Sequence, residues 1–430
     1  MVITGRTVLL VLAGALPLAF APGWATFLGW LGLVVAAVAV DLALAGSPLR
    51  VAVHREAVPS VRLGERVGAA IVLTNHGRRR VRGLVRDAWQ PSAGAGNARH
   101  TLDLGPERAR RLETTLRPVR RGDRITRHVV VRSVGPLRLA ARQASLAAPG
   151  SVRVLPEFRS RKHLPGKLAR LRELEGRTAL HIRGQGTEFD SLRDYVDGDD
   201  VRSIDWRASA RRRQVVVRTW RPERDRRVLL VLDTSRTSAG RVGDEPRLDA
   251  AMDAALLLAA LASRAGDRVD LLAMDRRVRA RVEGASRSDL LPRLVTAMAP
   301  LEADLVEADW TAIAGTVLDR TSQRALVVLL TPLEAAAVEE SLLPVLPRLA
   351  QRHRVVVASV ADPSVEAMAA GRGDAYAVYG AAAAARSGLE RAAVTAELGR
   401  LGVDVVDAPP EHLPPRLADR YLALKAAGLL

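Results

Sequence analysis

The chain has no cysteine, and aromatic residues make up only 3% of its 430 residues. Without cysteine it forms neither disulfides nor thiolate metal sites, which suits a reducing compartment. With so few rings, Leu, Val and Ala must do most of the packing in a chain whose hydrophobic fraction is 48%. Compact catalytic signatures are missing too. Gly166-Lys167 lacks the preceding glycine and the following Ser/Thr of a phosphate-binding loop, and Gly184-Gln185-Gly186 has no third glycine. Neither H-E-x-x-H nor G-x-S-x-G occurs, and the eight histidines are dispersed. The chain is therefore read as a non-enzyme.

What the sequence has in excess is positive charge. The net charge is +18, and it is unevenly spread. Residues 51–230 hold 40 Lys/Arg against 19 Asp/Glu, whereas residues 231–430 hold 23 against 27. Such a basic region suits anionic lipid head groups or nucleic acid. Nearly all of this charge is Arg in an Ala-rich chain, so biased codon usage accounts for it equally well. Aromatics that would stack on bases are sparse, which disfavours nucleic acid.

Two apolar runs, 7–21 and 24–46, flank Pro22-Gly23. The second is long enough to cross a bilayer, since about 20 helical residues span the roughly 30 Å hydrocarbon core. The first, with Arg6 before it and Ala19-Phe20-Ala21 at its end, also reads as a signal peptide. Pro22 and the second run immediately behind it favour a transmembrane hairpin over residues 1–49. Arg6, Arg50 and Arg55 flank the pair and the turn carries no charge, so both ends are expected in the cytoplasm. The expected location is the inner membrane, with two spans and the bulk cytoplasmic. Asp41, near the end of the second run, is expected at the interface or paired with another helix.

Residues 50–157 alternate short apolar stretches with turns such as Asn75-His76-Gly77, Gly105-Pro106 and Gly135-Pro136. This spacing predicts an antiparallel β-sandwich-like module. Residues 158–227 form a basic connector: a helix over 160–176, then a dense mixture of carboxylates and arginines. A Ca²⁺ loop starting at Asp197 fails, because Arg202 and Ala208 occupy the places that need Gly and Glu. Paired-carboxylate hydrolysis needs a set separation that sequence does not supply. An ion-pair network or a docking surface built on it remains the simpler reading.

Residues 228–430 alternate unbroken Val/Leu runs with helical patterns. Strands are expected at 228–233, 269–274, 325–330, 355–360 and 403–406, and helices at 248–265, 290–298, 334–351 (interrupted by Pro344 and Pro347), 389–401 and 415–427. This pattern predicts a parallel sheet covered on both faces, a doubly wound α/β domain whose ligands bind at the carboxyl ends of its strands. Asp233, Asp275 and Thr331 fall there. Asp233, Ser235 and Thr237 supply hard oxygen ligands of the kind Mg²⁺ takes, and capping of the following segment is the alternative.

The motif Gly186-Thr187-Glu188-Phe189-Asp190, with Arg193, Tyr195, Gly198-Asp199-Asp200, Arg202, Asp205-Trp206 and Arg211, resembles the signature of the DUF58 family, followed by its strand and Asp233-x-Ser235. The resemblance implies a membrane-anchored bacterial protein with a von Willebrand factor A-like domain. It also implies partnership with a MoxR-type AAA+ ATPase in maturation or assembly of other proteins, including envelope proteins. A metal-ion-dependent adhesion site would map onto Asp233, Ser235 and Thr237. Thr331-Pro332 stands where such domains carry a further Asp, and Thr311 is the nearest candidate for their separate metal-binding Thr. The expectation is thus a cytoplasm-facing adaptor. The alternatives are a basic-surface binder of anionic lipid or nucleic acid, and a metal-dependent enzyme built on Asp233.

Overall fold

The computed structural model describes residues 1–181, 188–221 and 226–430, and side chains outside 176–191 and 219–225. The chain divides into two compact units, Met1–Glu157 and Phe158–Leu430.

The first unit opens with β1 (Val2–Ile3), α1 (Gly5–Leu12), α2 (Ala15–Phe20) and α3 (Trp24–Leu44). Among the described residues one helical segment, Trp24–Arg50, is long and apolar enough to cross a membrane. The expected first span falls short: Gly5–Phe20 is interrupted after Leu12, and at 1.5 Å per residue it reaches only about 24 Å. It lies against α3, where the Trp30 indole N–H donates to the Leu10 carbonyl at 3.1 Å. Strands β2 (Val51–Arg55), β3 (Val61–Arg62), β4 (Val67–Asn75), β5 (Val81–Trp89), β6 (Arg99–Leu104), β7 (Ala109–Leu116), β8 (Gly122–Val134) and β9 (Ala140–Leu155) follow. They make two sheets, β2-β4-β7 and β1-β9-β8-β5-β6, with β3 on β9. Period-two alternation aims Ile71 and Leu73 from one sheet, and Val85, Leu102, Leu104, Val129 and Val131 from the other, into a shared core.

Asp41 differs from the sequence expectation. It is fully buried at the end of α3 and accepts backbone N–H bonds from Leu137 (2.7 Å), Leu139 (2.8 Å) and Ala140 (3.0 Å). Its carboxylate is held by the β8–β9 turn rather than by another helix.

The second unit begins with α4 (Leu164–His181), β10 (Glu188–Asp194), α5 (Trp206–Arg212) and β11 (Val216–Arg221). Then come β12 (Arg227–Asp233), β13 (Arg241–Val242), β14 (Glu245–Pro246), α6 (Arg247–Arg264), β15 (Arg268–Met274), β16 (Val278–Val282), α7 (Leu290–Met298) and α8 (Trp310–Arg320). The chain ends with β17 (Leu326–Leu330), α9 (Ala335–Ala337), α10 (Leu346–Arg352), β18 (Arg354–Val360), α11 (Pro363–Ala369), α12 (Ala375–Arg400), β19 (Asp404–Ala408) and α13 (Leu413–Ala426). The six-stranded sheet has the order β16-β15-β12-β17-β18-β19, parallel except for β16. Leu229, Val231, Val327, Leu329, Val355 and Val357 face a core shared with α8, α10 and α12. The alternate strand residues face the side covered by α6 and α13. Coverage on both faces explains the unbroken apolar runs.

The expected interruption of 334–351 is present, whereas α12, β16 and α8 depart from expectation. The segment 334–351 is a short helix, a π turn over Val338–Leu342 and α10, because Pro344 and Pro347 deny a continuous ladder. Helix α12 starts at Ala375 rather than 389, capped by the Asp374 carboxylate on the Ala377 N–H at 2.8 Å. β16 and α8 were not read as elements.

Candidate functional site

From β12 the chain builds β15 and β16 on one side and then β17, β18 and β19 on the other. The connections therefore switch direction between the parallel neighbours β12 and β17, the place where doubly wound sheets bind ligands beyond their strand ends. Asp233 ends β12 and Thr331 follows β17. The Thr331 hydroxyl donates to Asp233 Oδ2 at 2.7 Å, joining the two strand ends. Thr237 donates to the same oxygen at 3.2 Å, and the Ser235 N–H donates to Oδ1 at 2.8 Å. Ser235 Oγ and Thr237 Oγ1 are 3.1 Å apart. Asp233, Thr234 and Ser235 are buried. Desolvation pushes the Asp233 carboxyl above the ordinary aspartate range, against the lowering effect of these hydrogen bonds.

The next strand end is tied in by the Thr234 hydroxyl, which donates to Asp275 Oδ2 at 2.8 Å. Asp275 also pairs with Arg279 at 2.9 Å, and Arg279 reaches Asp304 at 2.9 Å. The 304–306 loop is stitched alongside: the Asp304 N–H donates to the Thr234 carbonyl and the Arg236 N–H to the Val306 carbonyl, both at 2.8 Å. Arg236 pairs with Glu307 on the rim. Arg279 has no local sequence signal, because it lies on β16, whose charge dilutes the strand alternation.

The sequence grouping of Asp233, Ser235 and Thr237 thus holds in space, with Thr331 added. Thr311 does not join it; it lies exposed in the first turn of α8, next to the capping Asp309. The four side chains offer oxygen only, the donor kind that hard divalent cations take, with a single carboxylate among them. Among the described residues no group of three or more His, Asp or Glu is placed to hold a metal ion.

The charged motif is a separate structure. β10 and β11 pair antiparallel, with Arg193 opposite Val217. Arg193 donates to Asp199 Oδ1 at 2.5 Å, while Asp199 Oδ2 accepts the Val196 N–H at 3.0 Å. Asp200 accepts the Arg202 N–H at 2.9 Å. Asp205 caps α5 through the Ala208 N–H at 3.0 Å and accepts from Arg218 at 2.8 Å. The Ala208 N–H and then Arg218 hold the Asp205 carboxyl below the ordinary range. Tyr195 donates its backbone N–H to the Val215 carbonyl at 2.9 Å, and Gly198 takes the left-handed φ of +105° that its turn requires. Trp206 is 69% exposed, and Val196, Val201, Arg202 and Arg211 are exposed as well. Gly186 lies outside the described residues, as do the side chains of Glu188, Phe189 and Asp190.

Residues 191–378 match the family described as "Protein of unknown function DUF58", so the family resemblance read from the signature is borne out. No curated protein matches the chain. Among solved structures, the conserved hypothetical protein BatB from Bacteroides thetaiotaomicron is 14% identical over 46% of this chain and 98% of its own, with a TM-score of 0.29. The SpRpn10 VWA domain is 14% identical over 45% of this chain and 94% of its own, with a TM-score of 0.27. A CARDB domain from Pyrococcus furiosus, in complex with di-metal ions, is 18% identical over 24% of this chain and 86% of its own, with a TM-score of 0.18.

Proposed function

With a DUF58 region at 191–378, we propose that this chain is a membrane-anchored, cytoplasm-facing protein-interaction adaptor. It works with a MoxR-type AAA+ ATPase in maturation or assembly of other proteins, envelope proteins among them. Under this reading α1 and α2 insert beside α3 as a hairpin, a sandwich-like module follows, and the second unit is a von Willebrand A-like domain. The observation that carries the proposal is Trp206, 69% exposed beside the Asp199, Asp200 and Asp205 carboxylates, which are committed to caps, turns and ion pairs. Exposed Trp and Arg are the residue types that dominate the energy of protein interfaces. Carboxylates so committed are poorly placed to act as a general acid and base.

The Asp233 rim is the second contact point. Mg²⁺, held by Asp233, Ser235 and Thr237 beside Thr331, would add a positive charge there to meet an acidic side chain of a client.

The test uses the full chain in lipid nanodiscs and a purified MoxR-type ATPase, with and without ATP. Association is expected in at least one nucleotide state, and Trp206→Ala weakens it about 30-fold, the effect of losing a central aromatic anchor. Absence of association in every nucleotide state overturns the reading.

A further inference from the structure

We propose that one edge of the first unit is a docking surface for anionic phospholipid head groups; the proposal rests on the reading that α3 crosses a membrane. Arginines far apart in sequence converge at the end of α3. Arg50 follows the helix, and its carbonyl accepts the His76 N–H at 2.9 Å, which brings the β4–β5 turn with Arg78 and Arg79 alongside. A Cβ at Gly77 would lie 3.2 Å from the Arg50 side chain, and one at Gly46 would lie 2.5 Å from the Arg80 carbonyl. The helix end and that turn are therefore in direct contact.

Buried Asn75 locks the next turn to this one. Its side-chain amide donates to the carbonyls of Arg79 (2.9 Å), Leu104 (3.2 Å) and Gly105 (3.1 Å). On the other side, Asp41 holds the β8–β9 turn through its three N–H bonds. The Thr4 hydroxyl donates to the Arg138 carbonyl at 2.6 Å, which brings in the start of α1 with Arg6.

Arg6, Arg50, Arg78, Arg79 and Arg138 are all exposed. Of the nearby carboxylates, Asp103 is paired with Arg80 and Arg82, while Glu107 stays exposed, 3.6 Å from the His76 imidazole, so the arginines outnumber it. Arg138 has a φ of +59°, left-handed backbone that favours glycine, and Leu137 beside it is 52% exposed. An exposed leucine beside Arg138, with Arg6, Arg50, Arg78 and Arg79 on segments tied to the same end of a membrane-length helix, matches the boundary between acyl chains and phosphates. Phosphodiesters accept the guanidinium fork, and the bilayer in which α3 ends brings them to this edge.

Because the chain is cysteine-free, Leu137→Cys carries a single fluorescent donor. The full chain is reconstituted in phosphatidylcholine vesicles that contain a trace of acyl-chain acceptor-labelled phosphatidylglycerol or, in parallel, acceptor-labelled phosphatidylcholine. Energy transfer should show at least about fivefold local enrichment of phosphatidylglycerol. High salt, or reversal of Arg78, Arg79 and Arg138 to Glu, should abolish that preference. Equal transfer to the two lipids, or a preference that survives the reversals, overturns the proposal. The reversal variant must keep the parent's thermal melt; if it does not, the same three positions changed to Gln serve instead. Alkaline carbonate extraction reports the spanning helix separately. Retained protein without lipid preference overturns this surface alone, whereas extraction overturns the spanning helix and the surface with it.

Discussion

Asp233 shows how much a single residue owes to its neighbours. Its position at a strand end, and the hydroxyls of Ser235 and Thr237 on alternate residues, were legible in the sequence because they are local. The donation from Thr331, 98 residues away, was not. Thr331 meets Asp233 with a hydroxyl donor, where a second carboxylate would repel it. The carboxyl's raised pKa has a consequence for stability. The folded chain keeps the Asp233 proton to higher pH than the unfolded chain does, so stability declines as pH rises from about 4 through the folded-state value. Urea unfolding of Asp233→Asn should lack that decline, and Mg²⁺ should raise the neutral-pH midpoint of the parent while leaving the variant unmoved. A decline of equal size in the variant would show that the titration lies elsewhere.

Among the elements, α3 departs furthest from its sequence reading. An apolar run with one carboxylate near its end suggests an interfacial or paired Asp, and the structure gives that carboxylate three backbone donors from a turn almost one hundred residues on. Asp41→Ala leaves buried N–H groups unmet, and each costs about 1–3 kcal/mol. A loss of about 2–4 kcal/mol is expected, read as a lower unfolding midpoint of the β module in detergent. Asp41→Asn, which keeps an acceptor, should lose less; equal loss in both variants would point to packing as the cause. Elements with a strong period were legible: α7 occupies the expected 290–298, and the parallel strands fall within a residue or two of their expected positions. β16 and α8 were missed for physical reasons. β16 is an edge strand reading Val-Arg-Ala-Arg-Val, whose alternation is diluted by charge. α8 is short and starts from an Asp cap with no long apolar run.

At the scale of the whole molecule, the division at Glu157/Phe158 separates a unit of N-terminal helices and a β-rich module from an α/β unit, each with its own core. Separate cores melt separately when few contacts cross the boundary. Calorimetry of the full chain in detergent should resolve two transitions, and residues 158–430 alone should reproduce one of them. A single transition that the fragment fails to reproduce would mean that the units fold as one. The connector, set apart in the sequence by its charge, belongs to the second unit. The Ser160 hydroxyl bonds Asp253 of α6 at 2.8 Å, and Lys167 pairs with Asp419 of α13 at 2.6 Å.

By itself the sequence determined what depends on composition and short-range period: a membrane-length helix, a β-rich region, a doubly wound α/β domain, the DUF58 signature and the Asp233-x-Ser235-x-Thr237 cluster. Only tertiary structure decided what Asp41 holds, that Thr331 completes the Asp233 cluster, and that arginines 6, 50, 78, 79 and 138 share one edge. Periodicity places side chains on faces within a few turns, whereas these arrangements depend on turns and strand pairings that bring residues tens to about a hundred positions apart within hydrogen-bond reach.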